Sequence, residues 1–209
     1  MEDNYIDCRD TKTGVLVPMQ VNQIKNMYTD AHFVLVVEKD ATFQKLLDQG
    51  MCQKFHPPAL THGKGFPDIN TRMLVRKLWE SFQMPVLVLV DADPHGIEIM
   101  TVYKYGSRSL AFETEFLAVP ALRWLGVLPT DITRLGIPES AFIPLSNTDR
   151  KKASDLLQRP CVKHHLAWQQ EIERLLGTGK VEIQCLDTIS STFLTDVYLP
   201  GKLCNRGWI

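Results

Sequence analysis

Pro85-Val86-Leu87-Val88-Leu89-Val90-Asp91-Ala92-Asp93-Pro94-His95-Gly96 is an apolar, valine-rich run that stops abruptly at two carboxylates, a proline and a glycine. It lacks the apolar/polar alternation of a half-exposed strand, so it reads as a strand buried on both faces, as in a parallel sheet covered by helices. Ile97 to Tyr105 can follow as a short helix, which puts Asp91 and Asp93 in a strand-to-helix turn. In open parallel sheets, ligands bind at such turns.

The pattern recurs upstream, where Phe33-Val34-Leu35-Val36-Val37 ends at Glu38 and is followed by helically spaced Phe43, Leu46 and Leu47, closed by Gln49 and Gly50. Between the two runs, Pro57 to Thr61 supplies a further short strand and His62 to Asp68 a loop. Met73, Leu74, Leu78, Trp79 and Phe82 predict an amphipathic helix over Ile69 to Phe82. Alternating strands and helices imply an α/β fold, Rossmann-like, with a largely parallel sheet flanked by helices and right-handed crossovers.

Residues 1–30 read as an interdomain connection with a first strand at Val15 to Pro18 and a short helical stretch from Val21 to Met27. Residues 31–209 form the main domain with a helical C-terminal extension. Within it, Phe116-Leu117-Ala118-Val119 is the expected last strand, after which Pro120, Pro129, Pro138 and Pro144 cut the chain into short pieces. Ser146-Asn147-Thr148-Asp149 caps a helix running to about Leu157, and a second helix spans Val162 to Leu176, ended by Gly177. From Trp124 onward the chain is expected to pad the sheet with helices.

The 209 residues suffice for one domain with a tail, and a net charge of -1 means that any nucleic-acid binding must come from local patches. Five scattered cysteines without a CxxC fit reduced intracellular thiols better than a disulfide framework. Cys161 and His164 are spaced like one half of a zinc site, but no second half is evident, so they read as a helix-borne thiol near an exposed histidine. No apolar run reaches the roughly 20 residues that span a bilayer, and the acidic N-terminus is no secretory signal, so a soluble intracellular protein is expected.

If strand geometry persists, Asp91 and Asp93 place their carboxylates within about 7 Å of each other. Their repulsion is relieved by a proton or by a divalent cation, and hard oxygen ligands favour Mg²⁺ or Mn²⁺ over zinc. The plainer alternative is that one aspartate caps the following helix and the other is solvated. Glu38 adds a third acid at the same edge if the two strands are neighbours; otherwise it is an exposed residue favoured by a helix dipole. Gly63-Lys64-Gly65 has the makings of a phosphate contact or of an ordinary turn. Phe66 either reaches a groove or anchors its loop, and His95 either assists proton transfer, hydrogen-bonds a phosphate or steadies the turn. Arg150, Lys151 and Lys152 read first as a solvated face.

A glutamate ending one strand and a DxD ending a later one resemble the toprim fold of topoisomerases, primases and some nucleases. Val36-Val37-Glu38-Lys39-Asp40-Ala41-Thr42-Phe43, Gly63-Lys64-Gly65-Phe66-Pro67-Asp68 with Thr71-Arg72, Asp91-Ala92-Asp93-Pro94-His95-Gly96, Tyr103-Lys104-Tyr105-Gly106-Ser107 and Tyr198-Leu199-Pro200-Gly201-Lys202 narrow that likeness. Together they resemble the topoisomerase VI A-type family, most closely its eukaryotic branch that makes the meiotic double-strand breaks initiating recombination. The resemblance implies that Glu38, Asp91 and Asp93 hold Mg²⁺, that Lys64, Phe66, Arg72 and His95 contact DNA, and that the protein works in the nucleus. Implied partners are DNA, a second copy or the full-length protein, meiotic accessory proteins and a topoisomerase-VI-B-like subunit.

In that family the nucleophile is a tyrosine of a winged-helix domain preceding the toprim domain, within a paired-tyrosine motif, and it acts with the metal of the other protomer. Here the tyrosines are Tyr5, Tyr28, Tyr103, Tyr105 and Tyr198, none adjacent to another and none in that context. The expectation is therefore a fragment or short isoform that binds metal and DNA without cleaving. A non-cleaving module that engages DNA or the full-length protein is the alternative, and a stand-alone toprim nuclease would need a general base that the sequence does not reveal.

Overall fold

The computed structural model describes residues 5–8, 14–54, 58–63, 65–107 and 114–209. Its sheet has four strands, β1 (Val34–Val37), β2 (Ala59–His62), β3 (Val86–Leu89) and β4 (Arg123–Gly126), in the order β2-β1-β3-β4 and all parallel. The helices are α1 (Asp40–Asp48), α2 (Met51–Lys54), α3 (Ile69–Phe82), α4 (Pro94–Tyr105), α5 (Thr114–Leu117), α6 (Pro129–Arg134), α7 (Asn147–Gln158), α8 (Pro160–Lys163), α9 (Leu166–Thr178) and α10 (Leu199–Cys204).

The uninterrupted apolar runs follow from burial on both faces. Val34, Val36, Val86, Val88 and Trp124 enter one core with Val75 of α3, Met100 of α4 and Ile172 of α9. Their neighbours Leu35, Val37, Leu87, Leu89 and Leu125 point the other way, into a second core with Phe43 and Leu46 of α1 and Leu199 of α10. Successive strand side chains alternate between faces, so a two-sided core demands an apolar residue at every position.

β1 and β3 are central neighbours, in a register that pairs Val37 with Leu89. Glu38 continues β1 by donating its backbone N–H to Leu89 O at 3.1 Å, and Val90 continues β3 by donating to Gly126 O at 2.8 Å. Both acidic strand ends therefore reach the same, C-terminal edge of the sheet. Helix α3 begins where the sequence predicts, with the Asp68 carboxylate accepting the Thr71 N–H at 2.7 Å as its N-cap.

Three local expectations are corrected. The last strand is not Phe116 to Val119: Thr114–Leu117 is a helical turn, and β4 lies beyond Pro120 at Arg123–Gly126. The buried ammonium of Lys104 donates to the carbonyls of Pro120 and Leu122 and so holds the turn that feeds β4, while Ile209 exchanges two backbone hydrogen bonds with Trp124 on its outer edge. Near the start, residues 14–18 form no strand, and the helical stretch shrinks to a single 3-10 turn, Val21–Gln23. Lys77 Nζ takes the carbonyls of Val21 and Ile24, and Asn26 adopts φ 51°, which stops any continuation. Finally, the helix expected over Val162 to Leu176 is two helices, α8 and α9, broken at His164 and His165, with Gly179 at φ 105° rather than Gly177 closing the second.

The fourth correction bears on the site. The chain after Trp124 is more than padding, because Val181 forms an antiparallel bridge with Ala92, inside the acidic turn.

Candidate functional site

The site is built from two strand ends and one returning segment. Glu38 Oε2 accepts the backbone N–H of Asp91 at 2.9 Å, which ties the end of β1 directly to the end of β3. Asp91 Oδ1 accepts the Ile183 N–H at 2.9 Å, and its Oδ2 pairs with Lys39 Nζ at 2.6 Å. The Ala92 N–H donates to Val181 O at 2.9 Å and the Val181 N–H to Ala92 O at 3.1 Å, so residues 181–183 brace the turn from the C-terminal part of the chain. Glu182, carried on that brace, lies 3.3 Å from the Lys39 ammonium.

Asp93 has the alternative role that the sequence left open. Its Oδ1 accepts the Gly96 N–H at 2.6 Å as the N-cap of α4, with Pro94 in the first turn. Capping engages one oxygen and leaves the other to the edge. Gly96 is required by proximity: a Cβ there would stand 2.8 Å from Asp91 O and 3.0 Å from Glu38 Oε2. The glycine lets the first turn of α4 close onto both acids.

Electrostatically the edge carries negative charge in excess. Burial pushes the Glu38 carboxyl up to about 7, with repulsion from Asp91 and Asp93 adding to it and the Asp91 N–H and Lys39 opposing. Asp93 is also raised, by burial first and by Asp91, against the Gly96 N–H, His95 and Lys180. For Lys39, burial works against the charge, but its bonds to Asp91 and Glu182 outweigh burial and raise it above an ordinary lysine.

Among the described residues, no group of three or more His, Cys, Asp and Glu side chains is already gathered as a metal cage. The donor set nonetheless fits a hard divalent cation. It consists of carboxylate oxygens only, two of its acids are raised by burial and mutual repulsion, and an ammonium already stands against Asp91.

The residues expected at DNA fare differently. Lys64 lies outside the described residues, but its loop is docked at the site, because the Gly65 N–H donates to Glu38 O at 3.0 Å and Gly65 takes φ 92°. Phe66 is half exposed and His95 is exposed beside the turn, with Lys152 Nζ 3.5 Å from its Nδ1. Arg72 is corrected: it is 2% exposed, packed inside on α3 near Tyr103, and does not present its charge at the surface. Lys152 and Arg159 both pair with Glu98 of α4, which makes Lys152 a bridge to the helix behind the acidic turn rather than only a solvated cation.

Lys39 and Glu182 are the site residues that sequence reasoning missed. Lys39 had a signal, being next to the strand-ending acid. Glu182 had none, since only the bridge from Val181 to Ala92 brings it there.

The tyrosines are accounted for. Tyr103 and Tyr198 are buried, and burial raises both hydroxyls well above the usual phenol range. Tyr105 OH is hydrogen-bonded to His165 Nε2 at 2.6 Å, whereas Tyr5 and Tyr28 are exposed.

The family model for the toprim domain of topoisomerase 6 A-type proteins and Spo11 matches residues 33–203. Meiotic recombination protein SPO11 of Homo sapiens is 52% identical over 205 residues, covering 98% of this chain and 52% of the relative. The SPO11 of Mus musculus is 48% identical over the same length, and the A-type DNA topoisomerase 6 protein of Arabidopsis thaliana is 36% identical over 210 residues, 99% of this chain and 48% of that protein. The chain thus spans about half the length of the curated relatives it matches.

Proposed function

Because the chain belongs to the family of topoisomerase 6 A-type proteins and Spo11, we propose that it is the Mg²⁺-dependent, DNA-binding toprim part of a protein that makes meiotic DNA double-strand breaks. The observation that carries the reading is the hydrogen bond between Glu38 and the Asp91 backbone, which brings the two acidic strand ends together beside Asp93. Glu38, Asp91 and Asp93 would hold the cation, which when bound supplies positive charge for a DNA phosphate. Without it the three acids repel that phosphate. The remaining work belongs to the chain: the brace at residues 181–183 fixes the Asp91 carboxylate, Gly96 lets α4 close on the edge, and the DNA backbone is met by Phe66 of the loop whose Gly65 is bonded to Glu38, by His95, and by Lys64 as the family resemblance implies.

Break formation by tyrosyl transesterification would need the paired-tyrosine nucleophile of the family, and none of the five tyrosines lies in that context. The chain alone therefore binds DNA without cutting it. Its partners in this reading are a second copy or the full-length protein, meiotic accessory proteins and a topoisomerase-VI-B-like subunit. The nucleus is its place of work.

Incubation with supercoiled plasmid and Mg²⁺ tests this. Retention of intact plasmid is expected, weakened about tenfold or more by Asp91→Ala. Protein covalently attached to 5′ ends would overturn the assignment of the tyrosines, and protein-free nicks would point instead to a nuclease using metal-activated water.

A further inference from the structure

The carboxylate edge already contains a cation of its own. Lys39 leaves the sheet directly after Glu38, at the N-cap of α1, and its ammonium lies 2.6 Å from Asp91 Oδ2 and 3.3 Å from Glu182 Oε2. The two acids differ in exposure: the Asp91 side chain is 5% exposed and that of Glu182 54%. Asp91 has its other oxygen committed to the Ile183 N–H, so Oδ2 is the oxygen through which it can answer a cation, and Lys39 holds it. A divalent ion that uses this oxygen must move the ammonium, because two cations cannot share one carboxylate oxygen without strong repulsion.

Glu182 is where the ammonium can go. It sits on the segment pinned to Ala92, one residue before the N–H that fixes Asp91, and it already lies near Lys39. The flexible four-carbon stem of lysine permits that small transfer, whereas its pairing to Asp91 keeps a buried carboxylate neutralised until a stronger cation arrives. The other paired lysines on this side, Lys45 with Asp187 and Lys54 with Asp196, are bonded away from the three edge acids.

We propose that Lys39 is the resident counter-cation of the Asp91 carboxylate and is displaced onto Glu182 when a divalent cation binds, so that cation binding is an exchange of one positive group for another. The proposal rests on the metal reading of Glu38, Asp91 and Asp93 and adds two positioning residues to it. Amine acylation followed by peptide mass spectrometry reads the displacement on the unaltered chain, and Mn²⁺ binding is followed in parallel by the resonance of the free ion. Lys39 should be protected in chelator and acylated several-fold faster in saturating Mn²⁺, while exposed Lys163 serves as the unchanged control. Lys39→Met should bind Mn²⁺ about tenfold more tightly, Lys39→Arg should not, and in Glu182→Gln the Mn²⁺-loaded Lys39 should be acylated faster still. Mn²⁺ binding with Lys39 acylation unchanged overturns the exchange and leaves the metal site standing, even if Lys39→Met binds more tightly through simple loss of charge. Failure of both the unaltered chain and Lys39→Met to bind Mn²⁺ overturns the metal reading and the exchange together.

Discussion

Two buried charged clusters flank the C-terminal half of the sheet, and they are compensated in opposite ways. Below α6, the Asp131 carboxylate accepts from Tyr198 OH at 2.7 Å, Lys202 Nζ at 2.8 Å and Arg134 at 3.1 Å. Tyr198 gets there because Gly126 leaves room: a Cβ at that position would lie 2.0 Å from the hydroxyl. One acid thus meets two cations and a hydroxyl. At the strand edge the balance is reversed, since Glu38, Asp91 and Asp93 have Lys39 as the one ammonium paired to any of them among the described residues. Both clusters contain residues of the family motifs, yet the first is complete as an anchor for α10, while the second has the excess of negative charge that a metal ion would complete.

The sharpest way to break this contrast is Asp131→Asn. It leaves Lys202, whose side chain is 6% exposed, without its buried counter-charge. A loss of about 3–5 kcal/mol in urea unfolding is expected, equal with and without Mn²⁺. A loss that Mn²⁺ reduced would join the two clusters functionally and remove the distinction.

Glu38→Gln should act in the opposite direction. In the fold Glu38 keeps its proton up to about pH 7, against an ordinary value of 4.5, so folding takes up a proton between those values. Stability of the metal-free chain therefore falls as pH rises through that window, by on the order of 3 kcal/mol when complete. Glu38→Gln removes this slope and should be the more stable protein at pH 8 in chelator, while matching the unaltered chain at pH 4. Added Mn²⁺ should stabilise the unaltered chain and not the variant. Parallel pH profiles for the two proteins would show that burial, with repulsion from Asp91 and Asp93, does not hold the proton on Glu38.

Much of this was open to reading in the sequence, for physical reasons that also mark where it failed. Strands β1 and β3 are buried on both faces, so they appear as unbroken apolar runs, and the acids that end them stand out against that background. Strand β4 gave no such signal: Phe116 to Val119 is as apolar as Arg123 to Val127, and the choice between them is made by Lys104 holding two carbonyls and by Ile209 pairing with Trp124. Arg72 followed the motif but not the surface, because helix periodicity does not reveal which polar side chain the fold buries. For Asp93 both readings had substance, since it caps α4 while its charge still acts on Glu38. Glu182 was out of reach, because the bridge that delivers it joins segments far apart in the chain.

The smallest expected effect divides the complete cluster itself. Arg134 and Lys202 both contact Asp131, at 3.1 and 2.8 Å, but the Arg134 side chain is 62% exposed and that of Lys202 is 6%. Water already screens the Arg134 charge in the folded protein, and its guanidinium spends conformational freedom to hold the contact, so Arg134→Ala should cost no more than about 1 kcal/mol. Lys202→Met, by contrast, removes the buried charge and leaves the Asp131 carboxylate to Tyr198 OH, the Leu128 N–H and the water-screened Arg134, so it should cost clearly more than Arg134→Ala. Urea unfolding of the two variants beside each other isolates burial from charge, since both remove one positive charge from the same acid. Equal losses would mean that desolvation is not what separates them, and the same reasoning applied to the strand edge, where burial is what makes an unmatched carboxylate demand a cation, would fail with it.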